Sequence, residues 1–345
     1  ELIYDETALV ALDEFTSNMQ QGITPQFEQW FMLAPGEDIP KKARPKLQTE
    51  LNEVGRFVWE TIANSNFGTE GQEVYTDIGV GWSCQLIDEG RDGSLVSFKT
   101  VPQPHVFLDA GPFGTVDGVF RIRPKVRIID IKTLYPDAVV DEALMAQTHG
   151  NPDATTDLVE AVYRDWHRLD AQVYHYQIVE TKEKTFLIDR EETGEGAKPF
   201  VTPRWSVAAG ETYGRGPLIR ALPAIRTVNL VEELVLENAQ MAISGIWSVP
   251  DDGTINTDTL EIIPGAVYAR GADSDGLQSV GHSGNFDVSS IVLAQQQENI
   301  RRALFADRPG ETPGKTPASA REVGADMQLL ANRIGGSFGL SLIHI

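Results

Sequence analysis

With 345 residues and 41% hydrophobic side chains, the chain is long enough for one large core or two to three smaller ones. Fifty acidic against 29 basic residues give a formal charge of −21, which opposes tight wrapping of nucleic acid, because that needs clustered Lys and Arg. Apolar runs fall far short of a membrane span, nothing near Glu1 resembles a signal peptide, and a single cysteine, Cys84, excludes an internal disulfide framework and fits a reducing compartment.

Residues 6–34 begin as a helix. Leu9, Leu12, Phe15 and Met19 recur at spacings of three and four, and Gly22 and Pro25 break it. A second helix is expected over 44–67, with Leu51, Val54, Phe57, Val58 and Ile62 on one side. From about 68 to 205 the pattern turns to strands. "VYTDIGVGWSCQLIDEG" and "GSLVSFKTVP" predict paired strands with glycine turns, and "GTVDGVFRIRPKVRI" a further one. Residues 137–156 are expected as helix and loop. "DAQVYHYQIVETKEKTFLIDREETGEGAKPFVTPRWSV" follows as strands around a charged turn. The first two-thirds is therefore an α+β body.

Pro217 then opens a long helical run to about Gly245. Leu218, Leu222, Ile225, Val228, Val231, Val235, Ala239 and Ala242 repeat at three and four. Ile219, Leu230, Leu234 and Ile243 widen the apolar face, and Pro223 is expected to bend its start. Little sequence remains to cover so broad a stripe, so neighbouring subunits are expected to cover it. Residues 246–286 predict a compact insert with the acidic turn "DDGTINTD" and the short strands "LEIIPGAVYARG" and "LQSVG". A second helix is expected from Val288 to about Ala306, with Asp287 as its N-cap.

Four sets of residues raise catalytic or binding readings. "PGETPGKT" (309–316) ends like a phosphate-binding loop, but the position that needs glycine holds Pro309, and no buried strand precedes it. "GGSFG" (335–339) fits the nucleophile-elbow letters, yet Ser337 follows a helical stretch, and His344 alone makes no triad. "GHSGN", with Ser283, lacks the final glycine and reads as a turn. The six histidines, His105, His149, His167, His175, His282 and His344, show no zinc-helix spacing and none sits beside a cysteine. No catalytic residue, metal site or cofactor is expected.

The stretch "PRWSVAAGETYGRGPLIRALPAIRTVNLVEELVLENAQ" resembles the portal, or head-to-tail connector, proteins of short-tailed double-stranded DNA phages. Trp205, Tyr213, Gly214, Arg215, Gly216 and Pro217 carry the most specific part. "SNMQQGITPQFEQWFML", "NSNF", "VDGVFR" and "TPASAREVGADMQLLANRIGGSFGL" are similar to further family segments in the right order. The chain does not open on Met and closes in the apolar "SLIHI". The absent Met predicts a missing N-terminus, and because the proteins it resembles continue into more wing and a crown, a C-terminally truncated frame lacking the crown and the last wing elements is expected.

The resemblance implies a portal fold: a β-rich wing over 1–215, a first stem helix over 216–245, and a small α/β clip over 246–286. It further implies a second stem helix over 287–306, a tunnel loop over 307–317, and the start of a following wing or crown helix over 318–345. It implies a homo-oligomeric ring, a dodecamer in the family, at the capsid vertex of the virion, assembled in the host cytoplasm. DNA is packaged and ejected through the ring. Implied partners are the large terminase, the tail adaptor and capsid or scaffold proteins, with transient passage of double-stranded DNA and no membrane. Leu222, Ile225, Val228, Val231 and Val235 would pack the ring, Arg308 and Lys315 would face DNA, and Asp251, Asp252 and Arg270 would meet clip partners. Two other readings are weighed: another structural phage protein such as an adaptor, and a serine hydrolase using Ser283 or Ser337.

Overall fold

The structure, a computed structural model, describes residues 2–90, 93–168, 172–244, 247–248, 278–279 and 286–306. The chain divides into two compact units, Val10–Arg220 with the chain from Ala303 onward, and Glu1–Leu9 with Ala221–Arg302.

The first of these units opens with three helices. Helix α1 (Thr7–Ile23) buries Ala11, Phe15, Met19 and Ile23, a series spaced by four that forms one stripe. Helix α2 (Arg44–Ala63) begins where expected but ends four residues before the expected 67, and it leaves most of its surface exposed, with Gly55 buried. Helix α3 (Phe67–Val80) corrects the sequence reading, which expected a strand at "VYTDIGV". Its buried positions are Gly71, Val74, Tyr75, Ile78 and Gly79, spaced as one helical face. Two of those five are glycines. They allow close packing and add no hydrophobic signal, so the helical period is weak in the letters. A β-carbon on Gly79 would lie 2.4 Å from the Leu12 side chain, which shows how closely α1 and α3 approach. Thr16 and Thr76 hydroxyls meet at 3.2 Å, and Thr24 meets the Tyr75 hydroxyl at 2.9 Å. Burial pushes the Tyr75 phenol up to about 12.

Two antiparallel sheets follow. Strands β1 (Gln85–Glu89), β2 (Val96–Thr100) and β8 (Phe200–Val201) form one in the order β2-β1-β8. Strands β3 (Val106–Ala110), β4 (Val116–Arg127), β5 (Thr155–Arg164), β6 (Val173–Glu180) and β7 (Phe186–Thr193) form the other in chain order. Register is set by pairs such as Val119 with Val162 and Ile178 with Ile188. Helices α4 (Ile131–Leu134) and α5 (Glu142–Ala146) interrupt the path from β4 to β5, and Ile131, Leu144, Leu158, Ile178 and Leu187 close into one buried cluster. Cys84 lies in a second cluster with Val119, Val162 and Phe200. Burial raises its thiol to about 12, so it behaves as an inert core side chain.

One polar knot sits inside the larger sheet. Glu160 and Arg121 are 1% and 5% exposed and pair at 3.4 Å. Glu160 also accepts hydrogen bonds from Tyr176 at 2.8 Å and Tyr135 at 3.1 Å, and Arg123 donates to the Tyr135 hydroxyl at 2.7 Å. Burial raises both phenols, and the Glu160 charge raises them further.

The other unit holds most of helix α6 (Pro217–Ser244) and of helix α7 (Phe286–Ala303). Strands β9 (Trp247–Ser248) and β10 (Gln278–Ser279) pair antiparallel between them, so the two ends of the insert return to each other. Phe286 and Asp287 already lie in α7, so the helix starts before the expected Val288, and Asp287 is not its cap. The expected first body, 1–215, is also divided differently, because residues 1–9 group with the helix pair. The Tyr4 N–H donates to Asn229 at 2.7 Å, Asn229 donates to the Leu2 carbonyl at 2.9 Å, and Gln297 donates to Asp5 at 2.9 Å.

Candidate functional site

The residues of the Trp-to-Pro block, 205–217, assemble against the turn that ends α3. Ser83 donates its N–H to the Pro203 carbonyl (3.0 Å), Trp205 to Gly81 (2.8 Å), and Gly216 to Val80 (2.9 Å). Arg215 closes the block on itself through its N–H to Ser206 (2.7 Å). This backbone lacing requires glycine. A β-carbon on Gly214 would sit 2.2 Å from the Gly81 carbonyl oxygen, and one on Gly216 would sit 2.2 Å from that of Gly79. Neither is among the positive-φ glycines, so their role is close approach rather than unusual dihedrals.

The aromatic members anchor the block. Trp205 is buried, meeting Phe15 edge-on at 5.5 Å and Phe305 at 5.9 Å. Tyr213 packs against Trp82 at 5.1 Å, and its hydroxyl accepts the Leu108 N–H at 3.1 Å. Arg204 donates to the Thr212 carbonyl at 2.9 Å and to that of Gly114 at 3.0 Å. Arg215 is more exposed and pairs with Glu211. Pro217 then opens α6 at its first position, where its missing N–H costs nothing. The block is a structural junction that ties α1, α3 and the strands to the start of the long helix.

Helix α6 has 28 residues, which at 1.5 Å each is about 42 Å. Its apolar side chains divide into two groups. Val228 is fully buried by the chain itself, which corrects its assignment to a face open to neighbours. Ile225, Val231 and Val235 are half-buried. The open stripe is Ile219 (45% exposed), Leu222 (40%), Leu230 (54%) and Leu234 (47%). Arg226 fills the gap at helical spacing. Of the five residues expected to pack a ring, Leu222 alone belongs to this open stripe. Leu230 and Leu234 were visible in the sequence as the second apolar set, but periodicity cannot say which half of a broad stripe its own chain covers.

Asp251, Asp252 and Arg270 of the expected clip lie outside the described residues, as do Arg308 and Lys315 of the expected tunnel loop and the serines Ser283 and Ser337. Among the described residues, no group of three or more His, Cys, Asp or Glu is placed to hold a metal ion. No described helix is long and apolar enough to cross a membrane.

No curated protein matches the chain. One solved structure that matches is described as the neck of an empty GTA particle computed with C6 symmetry. Its TM-score is 0.36 at 12% identity, covering 79% of this chain and 67% of that one. The profile of the family described as bacteriophage head to tail connecting protein matches residues 1–341, which includes the junction block and both long helices, and the chain belongs to that family.

Proposed function

We propose that the chain is a portal-type subunit of a phage head-to-tail connector that forms a closed ring through which the genome passes. The observation that carries this is the family match over nearly the whole chain. The open stripe on α6 supports it. A helix this long with five large apolar side chains exposed, the four of the stripe and Leu236, has surface that a single chain does not cover, and head-to-tail contacts between copies close into rings when the rotation allows. In this reading α6 and α7 are the stem pair, and the insert between them is the clip that meets the terminase and later the tail adaptor. Residues 307–317 are the tunnel loop. The net charge of −21 then supports passage of DNA past a surface that repels its phosphates. The podovirus type, the dodecamer, the capsid vertex, the host cytoplasm as assembly site and the absence of enzymatic activity belong to this proposal.

Negative-stain electron microscopy with native mass determination tests it, on this chain and on a version extended at both ends. Rings with a central hole from either protein support the reading, and their mass gives the symmetry. Monomers from both overturn it in favour of an adaptor or of the hydrolase, which a serine-reactive probe would then label.

A further inference from the structure

Strand β4 carries the sequence "RIRPKVR", in which Arg121, Arg123, Lys125 and Arg127 fall at alternate positions. All four line one cleft of about 400 Å³, together with His105. Asp130 is the sole carboxylate in the lining, in a chain where acids outnumber bases 50 to 29. A cleft of this volume is in the range that small ligands fill.

The local backbone is unusual at the same place. The β4–β5 register slips between Arg123 and Val126, and Lys125 adopts a left-handed conformation with φ 53°. A non-glycine residue there is held in a costly region, and bulges bend a strand and re-aim its side chains. The Lys125 N–H is pinned to Asp157 at 2.8 Å. Among the described residues, its ammonium has no hydrogen bond or ion pair. The arginines are preset by other contacts. Arg121 is held by Glu160, Arg123 by Tyr135 through a 2.7 Å hydrogen bond and a cation–π contact at 5.2 Å, and Arg127 by Asp130 at 2.8 Å. Each guanidinium offers five N–H donors, and these contacts use only some of them.

We infer that this cleft in the larger sheet is a binding site for a compact, multiply charged phosphate oxyanion of the di- or triphosphate class. Glu160 answers Arg121, and Asp130 and Asp153 answer Arg127, so among the described residues Arg123 and Lys125 have no carboxylate partner. A single ligand carboxylate would answer one of these two charges, whereas a polyphosphate answers both and takes spare N–H donors of the paired arginines within a small volume. Guanidinium groups also match phosphate oxygens in pairs. The site lies within one chain, so it stands or falls separately from the ring.

Calorimetric titration of the full chain with sodium tripolyphosphate at low salt tests the inference. Saturable one-site binding is expected, weakened about tenfold or more in Lys125→Ala and in Arg127→Ala, as loss of one charge-assisted hydrogen bond requires. Both side chains are exposed, so the ligand-free melting curves should match the wild type. A short DNA duplex that displaces tripolyphosphate identifies a nucleic-acid backbone as the natural source; failure to displace it identifies a free polyphosphate. Absence of saturable binding, wild-type affinity retained in both variants, or hexaglutamate binding as tightly as tripolyphosphate overturns the inference.

Discussion

Gly214 and Gly81 face each other so closely that a β-carbon on either would lie 2.2 Å from the carbonyl oxygen of the other. No side-chain rearrangement relieves that clash, because the obstacle on each side is backbone. Gly214→Ala should therefore destabilise the unit of Val10–Arg220 by at least about 2 kcal/mol, in the range of overpacked cores. Arg215→Ala, which removes only an exposed pair with Glu211, should cost under about 1 kcal/mol. Paired urea melts of the two variants check this. Equal midpoints would mean that the lacing between the block and the end of α3 is not needed for stability.

The Glu160–Arg121 pair leads to a second expectation. Removing one partner leaves a buried charge alone, at a cost of about 3–5 kcal/mol, while replacing both with apolar residues is often near neutral. Glu160→Ala should lower the urea midpoint sharply. Glu160→Leu combined with Arg121→Met should recover most of the loss. A double variant no better than Glu160→Ala would show that Tyr135 and Tyr176 depend on the carboxylate more than Arg121 does.

Asp77 predicts a pH dependence. Burial pushes its carboxyl up to about 6, and the Ser83 hydroxyl, which donates to it at 3.4 Å, offsets this in part. The folded chain thus holds the proton more tightly than the unfolded chain, where an aspartate titrates near ~3.9. The stabilisation is full below about pH 4 and is lost as pH rises through about 6. Asp77→Asn should gain about 1 kcal/mol at pH 7 after discounting for solvent screening, and nothing at pH 4. Melts of both proteins at the two pH values read this directly, and a gain at pH 4 would assign the effect to something other than titration.

The open stripe on α6 separates assembly from folding. Leu230→Asp and Leu234→Asp alter exposed side chains, so each should leave the circular dichroism melt near that of the wild type while abolishing rings in the microscope. Val231→Asp and Val235→Asp, at half-buried positions, should disrupt rings with some loss of stability. Val228→Asp buries a charge and should prevent folding. Intact rings from Leu230→Asp and Leu234→Asp would remove this face from the interface.

The expected tunnel loop is tested by Arg308→Ala with Lys315→Ala. Rings should form as before, and DNA packaging or retention should change. Failure of the rings themselves would assign these residues to assembly.

Periodicity alone located α1, α2, α6 and α7, because each repeats large apolar residues at three and four, and it located β4, β6 and β7 from β-branched and aromatic runs between turns. The block from Trp205 to Pro217 was also legible, since its glycines and proline stand out in any fold. What those glycines do was not. The reason lies some 130 residues earlier in the chain, in the carbonyls of Gly79 and Gly81, and contacts that distant leave no local pattern. Helix α3 was misread for a related cause, as glycine fills two of its five buried positions and hydrophobicity cannot record a close approach. Only the tertiary structure could decide which side of α6 the chain covers, because burial is a property of neighbours. It also decided that the four alternating cations on β4 line one cleft, because other segments of the chain, with His105, Asp130 and Leu134, complete its walls.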